Sequence, residues 1–187
     1  AFSYLPDGPE GPAQIFRVTA DGKTEPVALM PRAYGYTLDA TWSPDGRHIL
    51  FVSEMGSCTG PDPCLNIWLA NADGSGLVQL TETVSVHISS QPSWSPDGQW
   101  IAFDGVLTYE TPWKNDLWLL RVDGAVLLRL TFDDRIESEP AWTPDGRQLV
   151  FLRGINVYSD QGIWVLDLAD GRLRQLCPDT VTSFLVR

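Results

Sequence analysis

TWSPDGRHILF, residues 41–51, reads as the end of one strand, a tight turn and the start of a second strand. Ser43, Pro44, Asp45 and Gly46 supply what a type I turn needs: a polar first corner, a proline pre-set at negative φ, an Asp, and a glycine free to take positive φ. The stretch returns as SWSPDGQWIAF from Ser93 and as AWTPDGRQLVF from Ala141, with turns at Ser95, Pro96, Asp97, Gly98 and at Thr143, Pro144, Asp145, Gly146. Trp42, Trp94 and Trp142 therefore mark a period of about fifty residues, the signature of an array of like units.

Working outward, each turn is followed by an alternating apolar run, HILFVS, QWIAFDG or RQLVFLR, as expected of a strand whose two faces pack differently. A second hairpin comes next in each unit: NIWLANADGSGLVQLT, DLWLLRVDGAVLLRLT and GIWVLDLADGRLRQLC. Here an Asp-Gly turn joins two further β-rich runs. No segment carries helical apolar spacing over three turns, and the glycines concentrate after Asp, where turns need them, with no phosphate-loop pattern. Four antiparallel strands in about 40–50 residues make the blade of a β-propeller.

The frame WSPDGxxIxF…IWxxxxDGxxxxLT resembles the WD40-like PD40 repeat of TolB-type propellers, which also occurs in the propeller domains of prolyl-oligopeptidase-like enzymes. The resemblance implies an all-β propeller that serves as a platform for other proteins, in the periplasm or outside the cell. It says less about activity, because the repeated residues are the ones that build the blade. One domain over 1–187 is expected: a partial blade at 1–31, blades at 32–82, 83–132 and 133–178, and a closing strand at 179–187. In the partial copy AFSY, QIFRVTADGK and EPVALM match the second, third and fourth strands. A strand in 180–187 beside the one containing Phe2 would complete a fourth blade from both termini, within one chain or between chains. The competing expectation is a fragment of a larger ring. Ala1, with no charged-then-apolar leader after it, fits a processed form or an excised piece.

Composition narrows the partners. At 43% hydrophobic and 20% charged the chain is an ordinary folded protein, and its net charge of −11 opposes nucleic acid and anionic membrane surfaces. No apolar run approaches the ~20 residues of a membrane helix, so no membrane insertion is expected. Cys58 and Cys64 bracket the turn-forming TGPDP, which predicts a disulfide and an oxidising compartment, against two free thiols in a surface loop. Cys177 reads as a small buried hydrophobe.

No GxSxG or HExxH motif is present, and His48 and His87 occupy different positions of their units. No catalytic residue and no cofactor are expected. Thr37, Ser89 and Glu137, and likewise Asp39, Gln91 and Glu139, take equal places on the first strands. That predicts polar rings around a wet channel, where Asp39 with Glu137 or Glu139 would be the oxygen ligands of a calcium ion if one is bound. Recognition is better placed on the loops opposite the SPDG turns, EMGSCTGPDPC, GVLTYETPWKN and RGINVYSDQ. They carry Tyr109, Trp113 and Tyr158 as candidate partner-binding residues, against rings folded back on their own blades. The expected function is a non-enzymatic, extracytoplasmic interaction or assembly scaffold; the alternative is the propeller portion of a peptidase or sugar-degrading enzyme whose catalytic part lies elsewhere.

Overall fold

The computed structural model describes residues 2–4, 14–19, 21–29, 37–54, 65–81, 86–88, 92–107, 114–155 and 161–177. Every regular element among them is a strand, and every pairing is antiparallel. β1 (Phe2–Tyr4), β2 (Gln14–Arg17) and β3 (Val27–Ala28) form a three-stranded N-terminal sheet in that order. The first complete blade is β4 (Thr37–Trp42), β5 (His48–Ser53), β6 (Asn66–Asn71) and β7 (Val78–Gln79), again side by side in chain order.

In the second blade the first strand comes as two pieces, β8 (Val86–Ile88) and β9 (Ser93–Trp94). Both pair with β10 (Trp100–Leu107), followed by β11 (Asp116–Arg121) and β12 (Leu127–Arg129). The third blade is β13 (Ile136–Trp142), β14 (Gln148–Gly154), β15 (Gly162–Asp167) and β16 (Leu173–Cys177). The repeat period thus corresponds to one sheet each time.

The turns explain why SPDG recurs. In the first, the Gly46 N–H donates to the Ser43 carbonyl (2.9 Å), and Gly46 sits at φ 68°. The Ser43 hydroxyl donates to Asp45 Oδ1 (2.6 Å) and accepts from the His48 N–H (3.0 Å), while Asp45 Oδ1 also accepts from the Arg47 N–H (3.0 Å). Ser95, Asp97 and Gly98, then Thr143, Asp145 and Gly146, repeat the arrangement. Every partner lies within five residues, so local sequence suffices to form it. The Asp-Gly turns share this end of the sheets: the Ala72, Val122 and Leu168 N–H groups donate to the carbonyls of Arg47, Gln99 and Arg147.

The core is a series of layers between sheets. Ile49 and Phe51 of β5 pack with Ile15, Leu29 and Ala70 against the N-terminal sheet, while Leu50 and Val52 point the other way, into a cluster with Ile101, Phe103 and Leu120 of the second blade. Ala102, Leu117 and Leu119 pack with Leu149, Phe151 and Leu166 between the second and third blades. Strand alternation thus gives each blade one face for its predecessor and one for its successor. The equivalent phenylalanines Phe51, Phe103 and Phe151 are all essentially fully buried.

Several expectations fall on other residues. Cys58, Cys64, Ser89, Gln91, Tyr109, Trp113, Tyr158 and the closing strand at 179–187 lie outside the described residues. Cys177 is half-buried at the end of β16. His87 lies in β8, opposite Val106 of β10.

Candidate binding surfaces

The seam between the second and third blades carries the densest polar chemistry among the described residues. β13 has a register shift between Ser138 and Ala141, and Glu139 there takes φ 55°. β4 repeats the irregularity, with Asp39 at φ 56°. Positive φ is strained for residues other than glycine and needs outside support. At Glu139 the support comes from the preceding blade: its N–H donates to Asp104 Oδ1 (3.2 Å), and Asp104 Oδ2 accepts from Asn115 Nδ2 (3.0 Å). Asp104 is fully buried, and burial pushes its carboxyl up to about 7 despite these donors.

The bulge also separates the two glutamates that the sequence placed on one ring. Glu137 turns into the seam and is fully buried; Glu139 is exposed. Thr131 links the blades: its hydroxyl accepts from the Leu117 N–H (2.9 Å) and donates to Glu137 Oε2 (2.8 Å), with Asp116 Oδ1 at 3.3 Å. Glu137 Oε1 lies 3.2 Å from Arg153 Nη1, an ion pair without hydrogen-bond alignment. Arg153 also pairs with Asp133, and Asp116 pairs with Arg129 at 2.6 Å. Burial pushes the Glu137 carboxyl up to about 7, outweighing the Thr131 hydrogen bond and the Arg153 charge. The same cross-strand position in the first blade holds the neutral pair Thr37 and Ser53, their hydroxyls 3.2 Å apart.

Glu137 is therefore part of an inter-blade latch and does not line an open channel. Among the described residues no three or more His, Cys, Asp or Glu side chains form a group that could hold a metal ion. Asp39 is half-buried, which raises its carboxyl pKa.

A recess of about 370 Å³ opens at the SPDG end of the same seam. Its walls are Trp100 and Leu119 from the second blade and Trp142 and Leu168 from the third, with Asp97 and Asp145 on the rim. Pro96, exposed, also lines it and packs against the next turn, where a Cβ on Gly146 would lie 3.6 Å from the proline ring. Trp142 is fixed in place by its indole N–H, which donates to the Ser93 carbonyl (3.1 Å).

Sequence reasoning missed the latch residues Asp104, Asp116, Thr131 and Arg153, and it missed the recess. A signal for the latch was available. Asn66 and Thr81 stand fifteen residues apart like Asp116 and Thr131, and the Thr81 hydroxyl donates to Asn66 Oδ1 (3.1 Å) where the Thr131 hydroxyl lies 3.3 Å from Asp116 Oδ1.

Comparisons with known proteins agree with this architecture. A protein assigned as TolB from Agrobacterium tumefaciens superposes with a TM-score of 0.73 at 23% identity, over 92% of this chain and 58% of its own length. The fold is a TolB-like β-propeller. No family model matches the chain. The propeller also superposes on an oligogalacturonate lyase solved with manganese (TM-score 0.67, 15% identity, 92% of this chain and 44% of that one). A prolyl endopeptidase gives a TM-score of 0.63 at 11% identity, over 90% of this chain and 26% of that one. In sequence, 90 residues are 30% identical to an uncharacterized protein of Agrobacterium fabrum, 48% of this propeller but 27% of that protein. That match spans little more than a quarter of the relative, and the TolB-like propeller covers less than two thirds of each of these solved chains.

Proposed function

We propose that the chain is a non-enzymatic propeller module that recognises another protein through its loops, in an extracytoplasmic compartment. The observation that carries the reading is the seam. The buried ionisable groups are all engaged: Asp104 with the Glu139 N–H of the next blade and with Asn115 of its own, Asp116 with Arg129 of its own blade, and Glu137 with Arg153 and, across the seam, with Thr131. They serve to fix one sheet against the next. A scaffold of that kind leaves recognition to the loops it holds, which is where recognition residues concentrate. The likeness to TolB supports the same class of role and the periplasmic or extracellular location.

The test is partner capture from the native source by the wild type and by the Tyr109→Ala/Trp113→Ala double variant. Loop anchors contribute about 2 kcal/mol or more to binding and little to the fold. The variant is expected to lose the partner while melting within about 2 °C of wild type, on the order of the shift expected from a negligible stability change. Equal losses of binding and stability would assign both rings to the core. Thiol counting under denaturing, non-reducing conditions tests the compartment: a Cys58–Cys64 bridge leaves one free thiol, whereas three free thiols refute it.

The second reading is the propeller portion of an enzyme, favoured by the shared fold with oligogalacturonate lyase and prolyl endopeptidase. A catalytic segment encoded in the same reading frame would establish it.

A further inference from the structure

The recess at the SPDG end of the second seam lies on the opposite end of the sheets from the loops just discussed, so it stands apart from that reading. Two indoles, Trp100 and Trp142, wall it. Across the preceding seam the repeat puts His48 and Trp94 in their places, so the paired indoles belong to this seam among the described ones. Both residues are half-buried, and Leu119 and Leu168 add apolar lining to the same recess. Volumes of this order suit one or two side chains of a docked segment.

The rim is acidic and preorganised. Asp97 is held by the Ser95 hydroxyl (2.6 Å) and the Gln99 N–H (3.0 Å), both on Oδ1, and these hydrogen bonds lower its carboxyl pKa, keeping it ionised. Asp145 is held likewise by Thr143 (2.7 Å) and the Arg147 N–H (3.1 Å). The two differ in their neighbours. Arg147 adds its charge beside Asp145 and helps to lower its carboxyl, whereas Gln99 stands at that place beside Asp97. Asp97 is thus the rim carboxylate with no arginine in its own turn.

A planar guanidinium stacks on indole faces and pairs with a carboxylate at once, which a compact ammonium does less well. The net charge of −11 draws a basic partner and repels a second copy of the chain. We propose that this groove docks an arginine-bearing peptide segment of a partner protein, the guanidinium against Trp100, Trp142 and Asp97 and a flanking apolar side chain on Leu119 and Leu168.

The probe is the peptide acetyl-Leu-Arg-Pro-amide, titrated into ¹⁵N-labelled protein while the tryptophan indole N–H signals are followed. Trp100→Phe and Trp142→Phe assign the signals. Saturable shifts are expected at both indoles, with the lysine peptide several-fold weaker and the citrulline peptide, which is isosteric but neutral, at least tenfold weaker. Asp97→Asn keeps the Oδ1 acceptor of the turn and removes the charge, so it is expected to weaken binding at least fivefold. Raising salt from 20 to 500 mM should weaken wild-type binding several-fold, a readout that does not depend on any variant folding. Tyr109→Ala/Trp113→Ala should leave the titration unchanged, which separates this groove from the loop surface. Equal binding of the citrulline peptide, indifference to salt, no shift at either indole, or indole shifts that follow protein concentration without peptide would each overturn the proposal, the last by assigning the groove to a second copy.

Discussion

Replacing Glu137 by Gln isolates the cost of the buried charge in the seam. Glu137 is fully buried and burial lifts its carboxyl to about 7, against 4.5 for the free side chain. Between those two values the folded chain holds a proton that the unfolded chain has released, so folding stability falls as pH rises through that window. At 1.36 kcal/mol per pKa unit the fall attributable to Glu137 is at most about 3 kcal/mol. Gln has nearly the same shape, can still accept from Thr131, and does not titrate. It leaves Arg153 paired with Asp133. Its own constant cost shifts the level of the variant's stability but not its slope with pH. Asp104, which titrates over a similar range, is present in both proteins and cancels in the difference. Urea unfolding at half-unit steps from pH 4 to 8 is the assay. Wild-type stability minus Glu137→Gln stability is expected to decline by up to about 3 kcal/mol between pH 4.5 and 7.5. Parallel profiles would show that burial does not perturb Glu137. A difference that grows with pH would show that the Arg153 pairing outweighs burial, and would reverse the reasoning.

Gly74 and Gly46 both take positive φ, but a Cβ at Gly74 would lie 2.6 Å from the Leu29 carbonyl oxygen of the N-terminal sheet, whereas one at Gly46 meets nothing within 4 Å. Gly46→Ala should therefore cost about 1–2 kcal/mol for conformation alone, and Gly74→Ala clearly more, in chemical denaturation; equal costs would argue against docking of the N-terminal sheet on the first blade. Ser95 is buried and its hydroxyl both donates to Asp97 and accepts from the Trp100 N–H, so Ser95→Ala should cost about 1–3 kcal/mol through the unpaired amide. A loss under 0.5 kcal/mol, below the usual value of one hydrogen bond, would show that the turn needs only its proline and glycine.

The sequence by itself determined the elements and their repetition. Each SPDG turn closes its hydrogen bonds within five residues, and each apolar run alternates, so turn, hairpin and blade period are local properties that any reader of residues 41–51 can extend along the chain. What only the tertiary structure decided is where the inner-strand side chains go. Equal places on successive first strands predict channel rings for Glu137 and Glu139, and in a regular strand the two would share a face. The bulge inserts an extra residue and breaks that alternation, sending Glu137 into the seam and leaving Glu139 exposed. The group that steadies the bulge, Asp104, is 35 residues away on another blade. The recess has the same origin: Trp100 and Trp142 belong to different repeats and line one recess only because one sheet stacks on the next. Period and turn chemistry are written within a unit, while the burial of Glu137 and the shape of a seam arise between units.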